Sequence, residues 1–217
     1  MRRTVITSII AVIAFTLIFG LAYPLAMTGI SQVAFPGKAD GSKISVDGQV
    51  VGSKLIGQSF SKPLIGKNGK PKLDEEGEEI LVPDPRYFQP RPSETGYSAN
   101  AAYFSNSGPN SVEEREAVRE AIAGYLKLNK PYDKSLTAEG IPIDAIAMSG
   151  SGVDPEISEA NAEIQAHRIA AVRKLPLERV EELISDHTSS RFLGIFGEPG
   201  VNVLELNIAL DEEAPLK

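Results

Sequence analysis

The residues that could do chemistry are a glycine-rich turn, two histidines and a few scattered serines. Ser149-Gly150-Ser151-Gly152-Val153-Asp154-Pro155 runs toward an amphipathic stretch. Free backbone N–H groups in such a turn can hold an anion, and the positive end of a following helix adds to the attraction. The same residues also describe a tight loop in which Asp154 or Ser158 caps a helix. Ligand binding by Ser149, Gly150, Ser151, Gly152 and Asp154 therefore stands beside simple capping, and the two are compatible. Neither Ser149 nor Ser151 has the Gly-x-Ser-x-Gly framing of a nucleophile elbow. Only His167 and His187 could act as a base; the first stands beside Arg168 within a helical stretch, the second ends another, where a cation complements the helix dipole. Gly66-Lys67-Asn68-Gly69-Lys70-Pro71 has the wrong spacing for a phosphate loop and carries Pro71 where the hydroxyl should be. No metal-binding pattern occurs, and with no cysteine there is no thiol catalysis, disulfide or lipoprotein anchor.

Arg86-Tyr87-Phe88-Gln89-Pro90-Arg91-Pro92-Ser93 is a different signal. Two prolines stiffen the backbone around Arg91, and Tyr87 and Phe88 supply aromatic faces on which arginines can stack. Such a segment suits a core corner or a partner interface equally well.

The elements that must hold these residues can be read from pattern. No charged side chain stands between Arg3 and Lys38, and Val5–Met27 is dominated by aliphatic residues and Phe. About 20 apolar residues span a hydrocarbon core of ~30 Å, so this run is long enough for a transmembrane helix, and it is too long for the h-region of a cleaved signal peptide. Pro24 lies late, where the helix can kink or end, and Tyr23 suits the interface. Arg2 and Arg3 precede the span, which by the positive-inside rule puts the N-terminus in the cytoplasm and the remainder outside. Residues 1–35 are thus an anchor, 36–43 a polar linker and 44–217 one extracytoplasmic domain, because 217 residues are too few for two full cores. Without Arg2 and Arg3 the chain has 20 basic and 29 acidic side chains, a charge of −9 that repels nucleic acid.

Within the domain, Asp47-Gly48 between Ile44–Val46 and Gln49–Val51 predicts a tight hairpin. Residues 62–85, rich in Lys, Glu, Gly and Pro, read as an exposed insertion or hairpin, with the acidic run Asp74–Glu79 a solvated loop. Ser111 and Glu114 form a capping box ahead of a helix that ends before Pro131. A second helix starts near Asp154 or Ser158, and Pro176 opens a third through His187. Val201–Leu210 alternates with Leu204, Leu206, Ile208 and Leu210 on one face, which predicts a half-buried strand. The class is α+β, with no repeat at a fixed period.

Taken in order, several segments resemble the C subunit of the Kdp-type potassium-transporting ATPase. They are the N-terminal span, Gly52-Ser53-Lys54-Leu55-Ile56-Gly57-Gln58-Ser59-Phe60, Tyr87–Ser93, Ser105-Asn106-Ser107-Gly108-Pro109-Asn110, Ser149–Ser158, Gln165, Arg168 and Arg173, and Gly197–Asn207. Nearly the whole chain is covered, and residues 62–85 are the departure. The resemblance implies a non-catalytic subunit of a high-affinity potassium importer in a bacterial or archaeal plasma membrane. Its partners would be a channel-like potassium-selective subunit, a P-type ATPase subunit and a very small single-span subunit, which would handle the ATP and potassium. This subunit would then bind no cofactor or metal directly. It also implies a ligand or partner loop including Gln165 and Arg168 with Ser149–Asp154, and an interface including Tyr87, Phe88, Arg91 and Asn106. A family role in raising ATP affinity would have to act indirectly, since nucleotide and domain lie on opposite sides of the membrane. The alternative is an anchored ligand-binding or hydrolytic domain acting alone through the Ser149–Asp154 loop; direct ATP binding by that loop requires a cytoplasmic domain.

Overall fold

The computed structural model describes every residue except Ala99, Ala102, Phe104, Ser105, Pro109 and Lys217. Ser105 and Pro109 of the Ser105–Asn110 motif thus lie outside the described residues. The chain divides into two units, Met1–Ser53 and Lys54–Lys217.

In the first unit, α1 (Arg2–Leu17) and α2 (Tyr23–Ala34) form one continuous helix joined by a π-type turn at Ile18–Ala22. Pro24 accounts for that turn. It has no N–H to return to the preceding turn, and the wider i→i+5 pattern carries the helix past it unbroken. The helix covers 33 residues, none of them buried within the chain, and it is long and apolar enough to cross a membrane. Ser8 donates its hydroxyl to the Thr4 carbonyl at 2.9 Å, which satisfies that polar group within the helix itself. Phe35, at φ −142°, ends the helix before the single turn α3 (Pro36–Ala39). β1 (Lys43–Val46) and β2 (Gln49–Ser53) then form the expected hairpin, with Asp47 and Gly48 at φ 50° and 78° as a type I′ turn requires.

The second unit is α+β. β3 (Ser61–Pro63) and β4 (Leu81–Pro83) pair antiparallel and carry an arm. α4 (Val112–Asn129) starts at Ser111, whose hydroxyl accepts the Glu114 N–H at 3.2 Å. β5 (Glu156–Ile157) leads to α5 (Glu159–Arg173), followed by α6 (Leu177–Asp186), β6 (Thr188–Ser189), β7 (Gly200–Asn202) and α7 (Val203–Glu213). The small antiparallel sheet has the order β5-β7-β6. Ile157, Val201 and Phe88 pack with Ile169, Val180, Leu183, Leu206 and Leu210 in one core. Each such side chain contributes ~1.5–3 kcal/mol by leaving water. Ala162, Ala166 and Ala170 form a buried small-residue row that lets α5 approach its neighbours closely.

Two sequence expectations need correction. Val201–Leu210 is not one strand: after Asn202 the chain turns into α7. The Asn202 side chain accepts the Glu205 N–H at 3.1 Å, and Val203, Leu206, Asn207 and Leu210 then fall on one buried helical face. Leu204, Leu206 and Leu210 fit a two-residue period as well as a helical one, and the cap decides between them.

The arm is the second correction, because it contains an eight-residue repeat. Gly66 N–H donates to Lys70 O and Asp74 N–H to Glu78 O; Gly69 N–H donates to Gly66 O and Gly77 N–H to Asp74 O. Gly69 and Gly77 both hold positive φ, at 74° and 89°. At the base the bonds close a ring: Lys72 N–H to Leu64 O, Ile80 N–H to Lys72 O and Leu64 N–H to Ile80 O, at 2.8, 2.9 and 2.8 Å. Two lobes and the β3–β4 stem thus form a three-leaf clover about a pseudo-threefold axis.

Candidate functional site

The segment Arg86–Ser93 is gripped by side chains where a sheet would use neighbouring strands. Asn207 takes both backbone groups of Phe88, accepting its N–H and donating to its carbonyl, each at 2.9 Å. Gln165 does the same for Gln89, at 2.7 and 3.0 Å. Arg168 donates to the carbonyls of Pro85 and Tyr87 at 2.6 and 2.8 Å, and Arg173 to that of Arg86 at 2.8 Å. Tyr97 donates its hydroxyl to Arg91 O, and Ser149 its N–H to Pro92 O. Two prolines make this segment a poor strand, so its polar groups need these partners once buried. Arg168, Gln165 and Asn207 are no more than 1% exposed.

This geometry sorts the residues singled out in the sequence. Gln165 has all its capacity in use: its oxygen also accepts from Arg168 at 2.7 Å and its amide also donates to Asn161 Oδ1 at 3.0 Å. Arg168 spends four hydrogen bonds inside the chain, the fourth from Nε to Asn129 Oδ1 at 2.9 Å. Both hold the core segment. Phe88, a candidate interface residue, is fully buried and offers no surface. Tyr87 is half-buried beside Phe60, with the Arg173 guanidinium 4.7 Å over its ring and its hydroxyl on Asp211 at 3.0 Å. Within the chain, Arg86–Ser93 packs as a core corner, with Arg86, Tyr87 and Arg91 half-buried. Asn106 holds φ 58° in a loop, away from regular structure.

The Ser149–Asp154 turn does not feed a helix, since β5 intervenes and Ser158 caps α5 by accepting the Asn161 N–H at 3.1 Å. Its backbone is engaged elsewhere. Gly152 O accepts from Ser93 Oγ at 2.5 Å, Val153 O from Gly57 N–H at 2.8 Å, and the N–H groups of Ser149, Gly152 and Val153 all donate within the chain. Gly152 holds φ 72°, and a Cβ there would stand 2.9 Å from Tyr103 O. Asp154 pairs with Arg91 at 3.0 Å and accepts the Glu156 N–H at 3.0 Å. Ser151 Oγ accepts the Val153 N–H, His187 Nδ1 meets Leu183 O at 2.8 Å, and no histidine bonds a serine hydroxyl among the described residues.

A cavity of about 310 Å³ lies beside this network, lined by Arg91, Ser93, Tyr97, Tyr125, Asn161 and Gln165 among others. Most of its polar groups are already spent. Tyr125 donates to Asn161 Oδ1 at 2.8 Å, Asn161 donates to Asp144 at 3.0 Å, and Arg91 Nε is left as an unused buried donor among the described residues.

Burial raises the Tyr97 phenol, with Asp154 adding to the effect, and burial raises Tyr125 likewise. A raised phenol stabilises the fold below the unfolded value near 10, and that contribution is lost as pH climbs through the folded values. Burial acts in the opposite sense on Arg168, which is pushed down to about 10, but the phenols outnumber it. The thermal midpoint should hold to about pH 9 and fall above about pH 10. Ultraviolet titration should show Tyr97 and Tyr125 ionising only as the protein unfolds. Early, reversible titration of all tyrosines would contradict this.

One surface feature had no counterpart among the sequence expectations. Phe192, Leu193, Ile195 and Phe196 are 70, 74, 74 and 62% exposed on a single turn. Phe192 and Phe196 exchange both backbone bonds, at 2.8 and 3.0 Å. Leu193 holds φ 54°, a left-handed conformation costing a non-glycine residue ~1–2 kcal/mol. Arg191 and Glu198 pair at its base at 2.6 Å. The signal was a short apolar run, Phe-Leu-Gly-Ile-Phe, inside a polar stretch. Exposed apolar patches of this kind mark contact surfaces.

Comparison with known proteins gives a family match over residues 5–212, to the K+-transporting ATPase c chain. The chain belongs to the KdpC family. A relative from Streptomyces coelicolor, named potassium-transporting ATPase KdpC subunit, is 44% identical over 210 residues, covering 93% of this chain and 89% of its own. Relatives of the same name from Mycobacterium bovis and Beijerinckia indica are each 41% identical, covering 97% and 96% of this chain and 99% and 93% of theirs. Tyr87–Ser93, Ser149–Ser158 and Gly197–Asn207, through which the sequence resembles KdpC proteins, are joined by the clamp just described.

Proposed function

We propose that this chain is the anchored, non-catalytic subunit of a potassium-importing ATPase, and that it works as a scaffold outside the plasma membrane. Arg2 and Arg3 hold the N-terminus in the cytoplasm, and the folded unit docks at the outer mouth of the channel-like potassium-selective subunit. The ATPase subunit and the very small single-span subunit complete the assembly and carry the nucleotide chemistry. Any effect of this chain on ATP affinity passes through the conformations of those partners.

The exposed Phe192–Phe196 turn carries the reading. A soluble domain gains nothing from four large apolar side chains on a strained tip, whereas a docking subunit buries them against a partner. Desolvating two of them at a protein contact contributes ~3–6 kcal/mol. Phe192→Ser with Phe196→Ser should leave folding and membrane anchoring intact and lower recovery of the two larger subunits at least tenfold. Unchanged recovery would show that this turn is not the docking surface.

A further inference from the structure

We propose that the arm between Ser61 and Pro83 is a self-association surface through which two copies of this chain, and hence two assemblies, pair about a twofold axis. The eight-residue repeat places opposite charges on equivalent leaves of the clover. One lobe presents Lys67 and Lys70, with Lys72 at its base; the next presents Asp74, Glu75, Glu76, Glu78 and Glu79. None of these side chains takes part in an ion pair within the described chain; the nearest such pair, Lys62 with Asp84 at 3.6 Å, lies on the stem. Asp74 Oδ1 accepts the N–H groups of Glu76 and Glu78, each at 2.9 Å, and so holds its own lobe together, which leaves the lysines and the four glutamates as the lobes' unpaired charges among the described residues.

The repeat also fixes where the apolar residues go. Ile65, Leu73 and Leu81 occupy the same place in the three leaves, each in a bridge or strand pair at its base: Ile65 with Pro71, Leu73 with Glu79, Leu81 with Pro63. A threefold rotation preserves direction along its axis, so all three point to the same side of the clover. They are 55, 57 and 58% exposed, whereas Leu64 and Ile80, next to them in sequence, are half-buried. The result is a small platform with an apolar triad flanked by one positive and one negative lobe.

Charge complementarity decides the occupant. A partner of single sign, whether an anionic lipid surface or a basic protein, satisfies one lobe and is repelled by the other. A second copy rotated by a half turn sets lysine lobe on acidic lobe twice and triad on triad, as an isologous contact requires. The platform is small, so the contact belongs to the weak, reversible class, and screening weakens it as salt rises.

The test uses two full-length copies with different tags, co-expressed and extracted from membranes, one captured and the other quantified. Recovery of the second copy should fall several-fold between about 0.05 M and about 0.5 M salt. Lys67→Glu, Lys70→Glu and Lys72→Glu together should lower it about tenfold. Pairing that variant with a copy in which Glu75, Glu76, Glu78 and Glu79 are replaced by lysine, and Asp74 is kept because it holds the lobe's turn, should restore recovery, a rescue that a misfolded arm could not give. Absence of a second copy with the wild type, recovery insensitive to salt and lobe reversal, or loss of a different protein in place of the second copy would each overturn the proposal.

Discussion

Arg168→Ala should cost the folded unit ~4 kcal/mol, a large part of the 5–15 kcal/mol typical of a whole domain. The guanidinium is fully buried, and no carboxylate among the described residues bonds it. Its partners are four neutral oxygens, those of Pro85, Tyr87, Asn129 and Gln165. Truncation strands the oxygens of Pro85 and Asn129, whereas Tyr87 O and Gln165 Oε1 keep a bond from Gln89; each stranded buried group costs ~1–3 kcal/mol in addition to the cavity. Relaxation recovers part of that sum. Arg168→Lys should rescue little, because an ammonium cannot reproduce a planar fork reaching α4, α5 and the Arg86–Ser93 segment together. Urea unfolding gives the readout. A loss below about 1 kcal/mol for Arg168→Ala would show that the segment does not depend on this clamp.

The anchor should respond as steeply. Leu17→Arg places a charge near the middle of the helix spanning Arg2–Ala34, at a cost of ~2.5–3.5 kcal/mol plus the lost leucine. The fraction of protein resisting alkaline extraction from membranes should fall severalfold, and deleting residues 2–34 should abolish it. Leu17→Ala should change little. Protease added outside intact spheroplasts should cut the wild-type arm at Lys67 or Lys70, where the lobes are exposed. Resistance there, with cleavage only after lysis, would invert the orientation proposed from Arg2 and Arg3.

Legibility in the sequence followed the range of the interactions. The Asp47-Gly48 hairpin, the Ser111 cap and the helix opened by Pro176 each depend on residues a few positions apart, and each is where the sequence predicts it. Asn207 and Gln165 are different: their partners Phe88 and Gln89 lie 119 and 76 residues away. An asparagine carries no mark of the backbone it will clamp. The helix after Asn202 was masked by leucines compatible with two periods. The repeat in the arm was masked by having one exposed apolar residue per unit, too sparse to register as periodicity. As for the site, Ser149–Asp154 and Arg86–Ser93 were legible as special, but not as two sides of one packed network. The Phe192–Phe196 turn carries no catalytic residue type, so a search for chemistry passes over it.

The most direct measurement is capture of the tagged full-length chain from membranes of potassium-starved cells, with mass identification of what accompanies it. The account predicts recovery of a P-type ATPase subunit and a larger potassium-selective membrane protein with the wild type, and loss of both with the Phe192→Ser, Phe196→Ser variant. A chain that emerges alone, folded and membrane-bound, would contradict it.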